Sequence, residues 1–310
     1  MYYQPTVYKG IPAHILSDGG LRLLITDYGA KIQSIRYLEK EMLCQSLSEA
    51  TQYRRSTDGD IFETGEFSGF DHLFPNISAA PYPDAPWQDT PMPDHGEVWS
   101  RDWESHWTED ALIFRVPGTR LPYNFQVEMR LQNDCLILRY TAQNLSDQPM
   151  KYLWCCHPLF VLEDGMELLL PGTEEIINTA TGQKYLGGYL QKHTWPISSE
   201  GRDLSHLTTD HRSCNKYYVW NERPRNNAIL RYPDGTDVLF DTADPSIPYM
   251  GIWVDELGYG QYAMRCIAPE LASAALDLYE PADRYQRNSN LAPGEIRSWT
   301  MTVTFQKHSK

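Results

Sequence analysis

Residues Cys135–Cys155 read CLILRYTAQNLSDQPMKYLWC, and their alternation decides the fold class. Leu136, Leu138, Tyr140 and Ala142 fall on one side of an extended chain while Ile137, Arg139 and Thr141 fall on the other, the period of two expected of a strand. The Asn144–Pro149 segment is rich in turn formers and ends this strand before KYLWC begins another. The pattern recurs on either side. In LRLLITDYGAKIQSIRYL (Leu21–Leu38) a strand breaks at Tyr28-Gly29-Ala30 and resumes at Ile32. Near the C-terminus, Ala292-Pro293-Gly294-Glu295 turns into IRSWTMTVTFQ, where Trp299, Met301, Val303 and Phe305 share a face.

Helical periodicity is scarce, and only two short segments, Asp277–Arg287 and Ser48–Arg55, are expected to be helical. Twenty glycines and 21 prolines suit many short strands joined by turns. The expectation is an all-β protein, a large antiparallel β-sandwich filling residues 1–310 as a single domain without repeats or linkers. Ser78–Pro93, rich in proline and aspartate, is expected to form a long loop over a sheet face and leads directly to His95.

Hydrophobic residues make up 41% and aromatic ones 12% of the 310 residues, enough for a sizeable core. A net charge of -14 repels phosphate backbones and anionic membranes, so neither nucleic acid nor a membrane is an expected partner. No run approaches the roughly eighteen apolar residues of a spanning helix, and the start, MYYQPTVYKG, lacks the apolar centre of a signal peptide. A cytoplasmic protein, monomer or homodimer, is expected. The six cysteines contain no C-x-x-C pair, and neighbours Cys155 and Cys156 would point to opposite strand faces, so reduced and mostly buried thiols are expected.

Four settings hold residues fit for chemistry: GFDHLFPNI (Gly69–Ile77), PDHGEVWSRDW (Pro93–Trp103), LWCCHPLF (Leu153–Phe160) and CIAPELAS (Cys266–Ser273). Together with YGAKIQSI and the terminal Leu-Ala-Pro-Gly-Glu turn, they occur in an order that resembles the aldose 1-epimerase (galactose mutarotase-like) family over nearly the whole chain. The resemblance implies a galactose mutarotase-like super-sandwich that binds a sugar in a cleft on one sheet. It further implies Glu270 as catalytic base, His157 as catalytic acid and His95 as the second active-site histidine, near the ring oxygen, with no metal or organic cofactor.

The implied reaction interconverts the α and β anomers of an aldose. A base takes the proton of the C1 hydroxyl while an acid protonates the ring oxygen; rotation about C1–C2 and reclosure give the other anomer. A carboxylate and an imidazole can both return to their starting states near neutral pH. Tryptophan faces suit the C–H patches of a pyranose, which makes Trp99, Trp103 and Trp253 candidate platforms or core residues. Asp71 and His72 are candidate substrate contacts, although His72 could equally cap a turn. In SCNKYY, Asn215 and Lys216 stand where the family carries an acid followed by histidine. Lys216, with Arg54, Arg55 and Arg101, leaves an anionic sugar open.

Glu280 in LYEPAD keeps a Glu-Pro pair typical of the family and rivals Glu270, whose apolar, strand-like setting could raise its pKa into a base's useful range. Two further readings stand beside the enzyme. One is a non-catalytic carbohydrate-binding relative; the other is a metal site built from His72, His95 and His157.

Overall fold

The Cys135–Asn144 strand runs antiparallel between Tyr123–Gln132 and Ile296–Lys307 in the middle of a sheet of nine strands among the described residues. Leu136, Leu138, Tyr140 and Ala142 are buried, as are Trp299, Met301, Val303 and Phe305 on the neighbouring strand, so the period-two pattern marks one face turned inward. This is the computed structural model of the chain, which describes residues 1–46, 48, 50–181, 183–209, 211–221 and 226–308.

Facing this sheet is a thirteen-stranded antiparallel one, counted among the described residues. It opens with the successive strands Tyr2–Tyr8, Ile11–Asp18, Leu21–Thr26 and Ile32–Tyr37. Its path then jumps along the sequence to Phe70–Leu73, Cys155–Pro158, Arg265–Ala272, Tyr249–Glu256 and Cys214–Val219, before Glu175–Asn178 and Lys192–Thr194. Aromatic rings join the two sheets. Phe74 stacks on Phe125 at 4.4 Å between centroids, and Tyr140 meets Trp154 at 4.6 Å. The chain is an all-β antiparallel sandwich.

Strand parity in the larger sheet sets up everything that follows. In Arg265–Ala272 all but Arg265 are buried, because both faces are covered. Ile267 and Leu271 enter the core between the sheets. Cys266, Ala268 and Glu270 turn to the other face, where Phe67, Trp253 and loops roof them.

Of the two expected helices, one forms and is shorter than its pattern. Tyr279–Arg284 is a single α-helix of six residues, carrying a Glu280–Arg284 ion pair at i,i+4. Ser48–Arg55 is not helical among its described residues, Glu49 lying outside them. Its backbone donors are taken elsewhere: the Tyr53 amide donates to the Lys9 carbonyl, and that of Arg54 to Glu66 Oε1. The segment between Ser78 and Pro93 is not wholly loop, since Ala80–Pro81 pairs with Pro91–Met92. All six cysteines are free, and no helix among the described residues is long and apolar enough to cross a membrane.

Candidate active site

Neighbouring strands of the larger sheet send side chains to a common cavity of about 430 Å³. Cys155–Pro158 supplies His157, Arg265–Ala272 supplies Glu270, Tyr249–Glu256 supplies Trp253 and Cys214–Val219 supplies Lys216. Loops complete the walls with Phe62, Glu63, Phe67, His95, Tyr259 and Asp277. The Tyr259 hydroxyl donates to Glu63, tying two of these loops together across the cavity's rim.

Glu270 is fully buried at the cavity floor. Its Oε2 accepts from Lys216 Nζ, and the Cys155 thiol lies 3.8 Å from the same oxygen. Its Oε1 has no hydrogen-bond partner among the described residues and stands 3.9 Å from His157 Nε2. Burial raises the carboxyl's pKa above the ordinary value, and Lys216 is the leading influence against it.

His157 sits beneath the Phe62 ring, edge to face at 5.2 Å, and its Nδ1 also lacks a partner among the described residues. Burial holds this imidazole well below its usual pKa, and the charges of His95, Lys216 and Lys31 act in the same direction. His95 differs. Burial works against its charged form, but Asp94 Oδ2 lies 2.9 Å from its Nδ1 and the net pKa is raised. One face of the His95 ring is covered by Phe62 in a parallel stack at 4.2 Å, while its edge faces His157 at 5.2 Å.

The local sequence explains how His95 is aimed. The amide of His95 donates to the Ile77 carbonyl at 2.6 Å, and both His95 and Gly96 take positive φ. At Gly96 a Cβ would lie 2.2 Å from the Phe74 carbonyl oxygen, so only glycine lets the turn press against that strand. Asp94, His95 and Gly96 therefore act as one device: an acid beside the ring, the ring, and the residue that allows the approach.

Not every candidate reaches the cavity. His72 turns to the opposite face from His157, into the core, where its nitrogens meet the Tyr140 hydroxyl at 2.9 Å and the Ala30 carbonyl at 3.1 Å. Burial pushes its pKa down to about 4, so it is a neutral core histidine and can neither contact a sugar nor join His95 and His157 around a metal. Among the described residues no group of three or more His, Cys, Asp or Glu is placed to hold a metal ion. Asp71 is on the cleft side of its strand but beneath the lining, paired with Lys31 at 3.0 Å.

Asn215 is also corrected by parity. It points away from the cavity and donates to Ser213 Oγ, while its neighbour Lys216 points in. Trp99 supports Phe62 from behind at 5.0 Å with its indole N–H on the Asp94 carbonyl, and Trp103 is core, bonded to the Val98 carbonyl. Arg101 reaches the Pro117 carbonyl, and Arg55 pairs with Asp102; neither they nor Arg54 line the cavity. Glu280, the rival base, is on the exposed helix surface beside Arg284 and outside the cavity lining.

The cavity residues that sequence patterning does not reach include Phe62, Glu63, Phe67, Tyr259 and Asp277. Phe62 begins a three-residue 3-10 turn in a loop without periodic signal. Its pattern offers no means of finding it. Asp277 lies in the bend between Arg265–Ala272 and the helix, where no period aims it, and its carboxylate accepts from the Tyr218 hydroxyl at 2.8 Å.

The chain is similar over its whole length to several solved structures. The Slr1438 protein from Synechocystis sp. PCC 6803 is 15% identical, with 99% of each chain covered and a TM-score of 0.72. A galactose mutarotase-like protein from Lactobacillus casei ATCC 334 is 18% identical, covering 95% of this chain and 100% of its own, at 0.70. A galactose mutarotase related enzyme from Lactobacillus acidophilus is 17% identical, covering 96% and 98%, at 0.69. At these identities the likeness establishes the fold. No curated protein matches the chain. The family model described as aldose 1-epimerase, however, matches residues 12–237, well over half the sequence, and the chain belongs to the aldose 1-epimerase family.

Proposed function

We propose that the cleft interconverts the anomers of an aldose, with Glu270 as base and the proton for the ring oxygen supplied from the His157 and His95 side. The observation that carries this reading is a buried carboxylate oxygen without a partner among the described residues, 3.9 Å from an imidazole nitrogen, on the floor of an aromatic-walled cavity. A hemiacetal presents its C1 hydroxyl and ring oxygen side by side, so two such groups on adjoining strands can serve both. Trp253 and Phe67, 6.0 Å apart, offer apolar faces to the C–H patches of the ring. The volume of about 430 Å³ suits a ligand of monosaccharide size.

In this scheme Glu270 Oε1 accepts the proton of the C1 hydroxyl while the ring oxygen is protonated and the C1–ring-oxygen bond breaks. Rotation about C1–C2 turns the aldehyde, the ring oxygen attacks its other face, and the protons return. His157 stands opposite Glu270 and is the imidazole aimed at the reacting atoms. His95 is the ring on which the local charges favour a proton, because burial, which opposes it, is overcome by Asp94 together with Glu63 and Glu270.

The test is exchange NMR between α and β anomeric proton signals across neutral, phosphorylated and sulfonated aldoses. Exchange above the buffer rate for at least one sugar is expected, and none for any of them would sink the proposal. A second reading, sugar binding without the reaction, draws on the Lys216 contact that already occupies one oxygen of Glu270. Its signature is sugar binding with exchange at the buffer rate.

Asp94→Asn tests the proton's location. Removing the carboxylate lowers the pKa of His95, so the imidazole loses its proton at lower pH. The alkaline limb of kcat/KM is expected to move down by about 1 pH unit. An unmoved limb would remove His95 from the proton's path.

A further inference from the structure

We infer that Lys216 is a positioning residue that clamps one oxygen of Glu270, so that the carboxylate meets its substrate ionised and through Oε1 alone. The inference rests on the proposed role of Glu270 and adds what this chain, with lysine at that strand position, does to it.

The arrangement of strands makes the clamp a built feature. Lys216 and Glu270 are not on neighbouring strands, since Tyr249–Glu256 runs between them. On that intervening strand Trp253 lies opposite Lys216, and Gly251 lies between Tyr218 and Glu270. The lysine reaches its partner diagonally, over the one position of the middle strand that has no side chain. A Cβ at Gly251 would stand 3.3 Å from Glu270 Oε2 and 3.1 Å from the Tyr218 ring, tighter than ordinary packing allows on two sides. Gly251 is thus the gap through which the pair meets.

A second anion keeps the clamp charged. Asp277 Oδ1 lies 3.9 Å from Lys216 Nζ, and the Tyr218 hydroxyl holds that same Asp277 oxygen at 2.8 Å. Burial alone favours a neutral lysine, yet with Asp277 and Glu270 beside it the ammonium's pKa is raised. The groups facing Glu270 from the surrounding elements are Lys216 and Tyr218, the Cys155 thiol and His157, Asp277, and His95 from the loop above. Of these, Lys216 and, at a longer 3.8 Å, the Cys155 thiol donate to Oε2, and none donates to Oε1 among the described residues. One oxygen is fixed and the other is left for chemistry.

A merely structural ion pair also lowers its carboxyl's pKa by linkage, so the two roles separate when the titration is read beside the pH profile, which follows it only if this carboxylate is the reacting group. The experiment follows the side-chain carboxyl of Glu270 by carbon-13 NMR in protein labelled at glutamate, assigned by the signal lost in Glu270→Gln, and runs the pH profile of anomer exchange in parallel. In Lys216→Met the Glu270 titration is expected to move up by about 1–3 pH units, and the acid limb of kcat/KM to move up with it. Lys216→Arg, which restores the charge, is expected to return both toward their original positions. If Lys216→Met does not fold, Lys216→Gln carries the same expectation with a donor kept and the charge removed. An unshifted Glu270 titration overturns the inference. If no sugar shows exchange with the unaltered protein, the proposed reaction fails while the carboxyl titration still decides the clamp.

Discussion

Glu270→Gln is expected to slow anomer exchange by about 10²- to 10⁴-fold, the range typical of losing a positioned proton-transfer group. Glutamine fills the same space, so the loss isolates the proton acceptor from the shape of the cavity floor. The lysine that paired with Glu270 keeps Asp277 at 3.9 Å, which limits the damage to the fold. Glu280→Gln is the matched control. Its carboxylate is mostly exposed, paired with Arg284 on the helix surface, and its loss is expected to leave exchange unchanged. The measurement is kcat/KM for the sugar with the fastest exchange, alongside thermal unfolding of each variant. Equal losses in the two variants, or none in Glu270→Gln, would remove Glu270 from the reaction.

Phe74→Ala is expected to cost about 3–5 kcal/mol of stability, the usual range for deleting a fully buried aromatic side chain. Phe74 is completely buried, stacked parallel on Phe125 at 4.4 Å and set edge-on to Tyr123 at 4.7 Å. The rings of Tyr123, Phe125 and Tyr152 hold the space open, so little collapse into the cavity can offset the loss. The same residue carries the carbonyl that accepts from the Glu97 amide and against which Gly96 presses. Urea unfolding at constant m value measures the cost. A change below about 1 kcal/mol would show that the two sheets repack freely, contrary to a close-packed interior.

Much of this architecture can be read in the chain because strand periodicity is a local property. Leu136 to Ala142 and Trp299 to Phe305 alternate without interruption, and each proves to be the buried row of a central strand. The same periodicity, applied one residue further, separates true from false candidates. Asp71 and His72, like Asn215 and Lys216, are neighbours on strands, and adjacent side chains cannot both face one cleft. Lys216 enters the cavity and Asn215 does not; His72 enters the core, and Asp71 stays beneath the lining with Lys31. Parity alone cannot choose the inward member of a pair, since both faces of this sheet are covered and no polar face betrays the outside.

Loop residues were harder for a different reason. Trp99, Arg101 and Phe62 lie outside regular strands, so no period aims them, and their directions follow from partners outside any ladder: Asp94, Pro117 and His95. The Ser48–Arg55 segment failed similarly. Its composition allowed a helix, but hydrogen bonds to Lys9, Gln33 and Glu66, all remote in sequence, draw it into an extended cover.

The jump in strand order has a consequence for how the molecule is made. Cys155, two residues before His157, pairs on one side with Leu73 and on the other with Ala272, which follows it by 117 positions. At a synthesis rate of about 5–20 residues per second, the ribosome needs about 6–23 s to deliver that second partner. Throughout that interval the edge beside His157 is an unpaired row of amides and carbonyls, open to any other extended chain. The cleft is therefore among the last surfaces to close in a nascent chain, and slowing translation between residues 158 and 265 is expected to divert more of the product into aggregates than slowing it before residue 70.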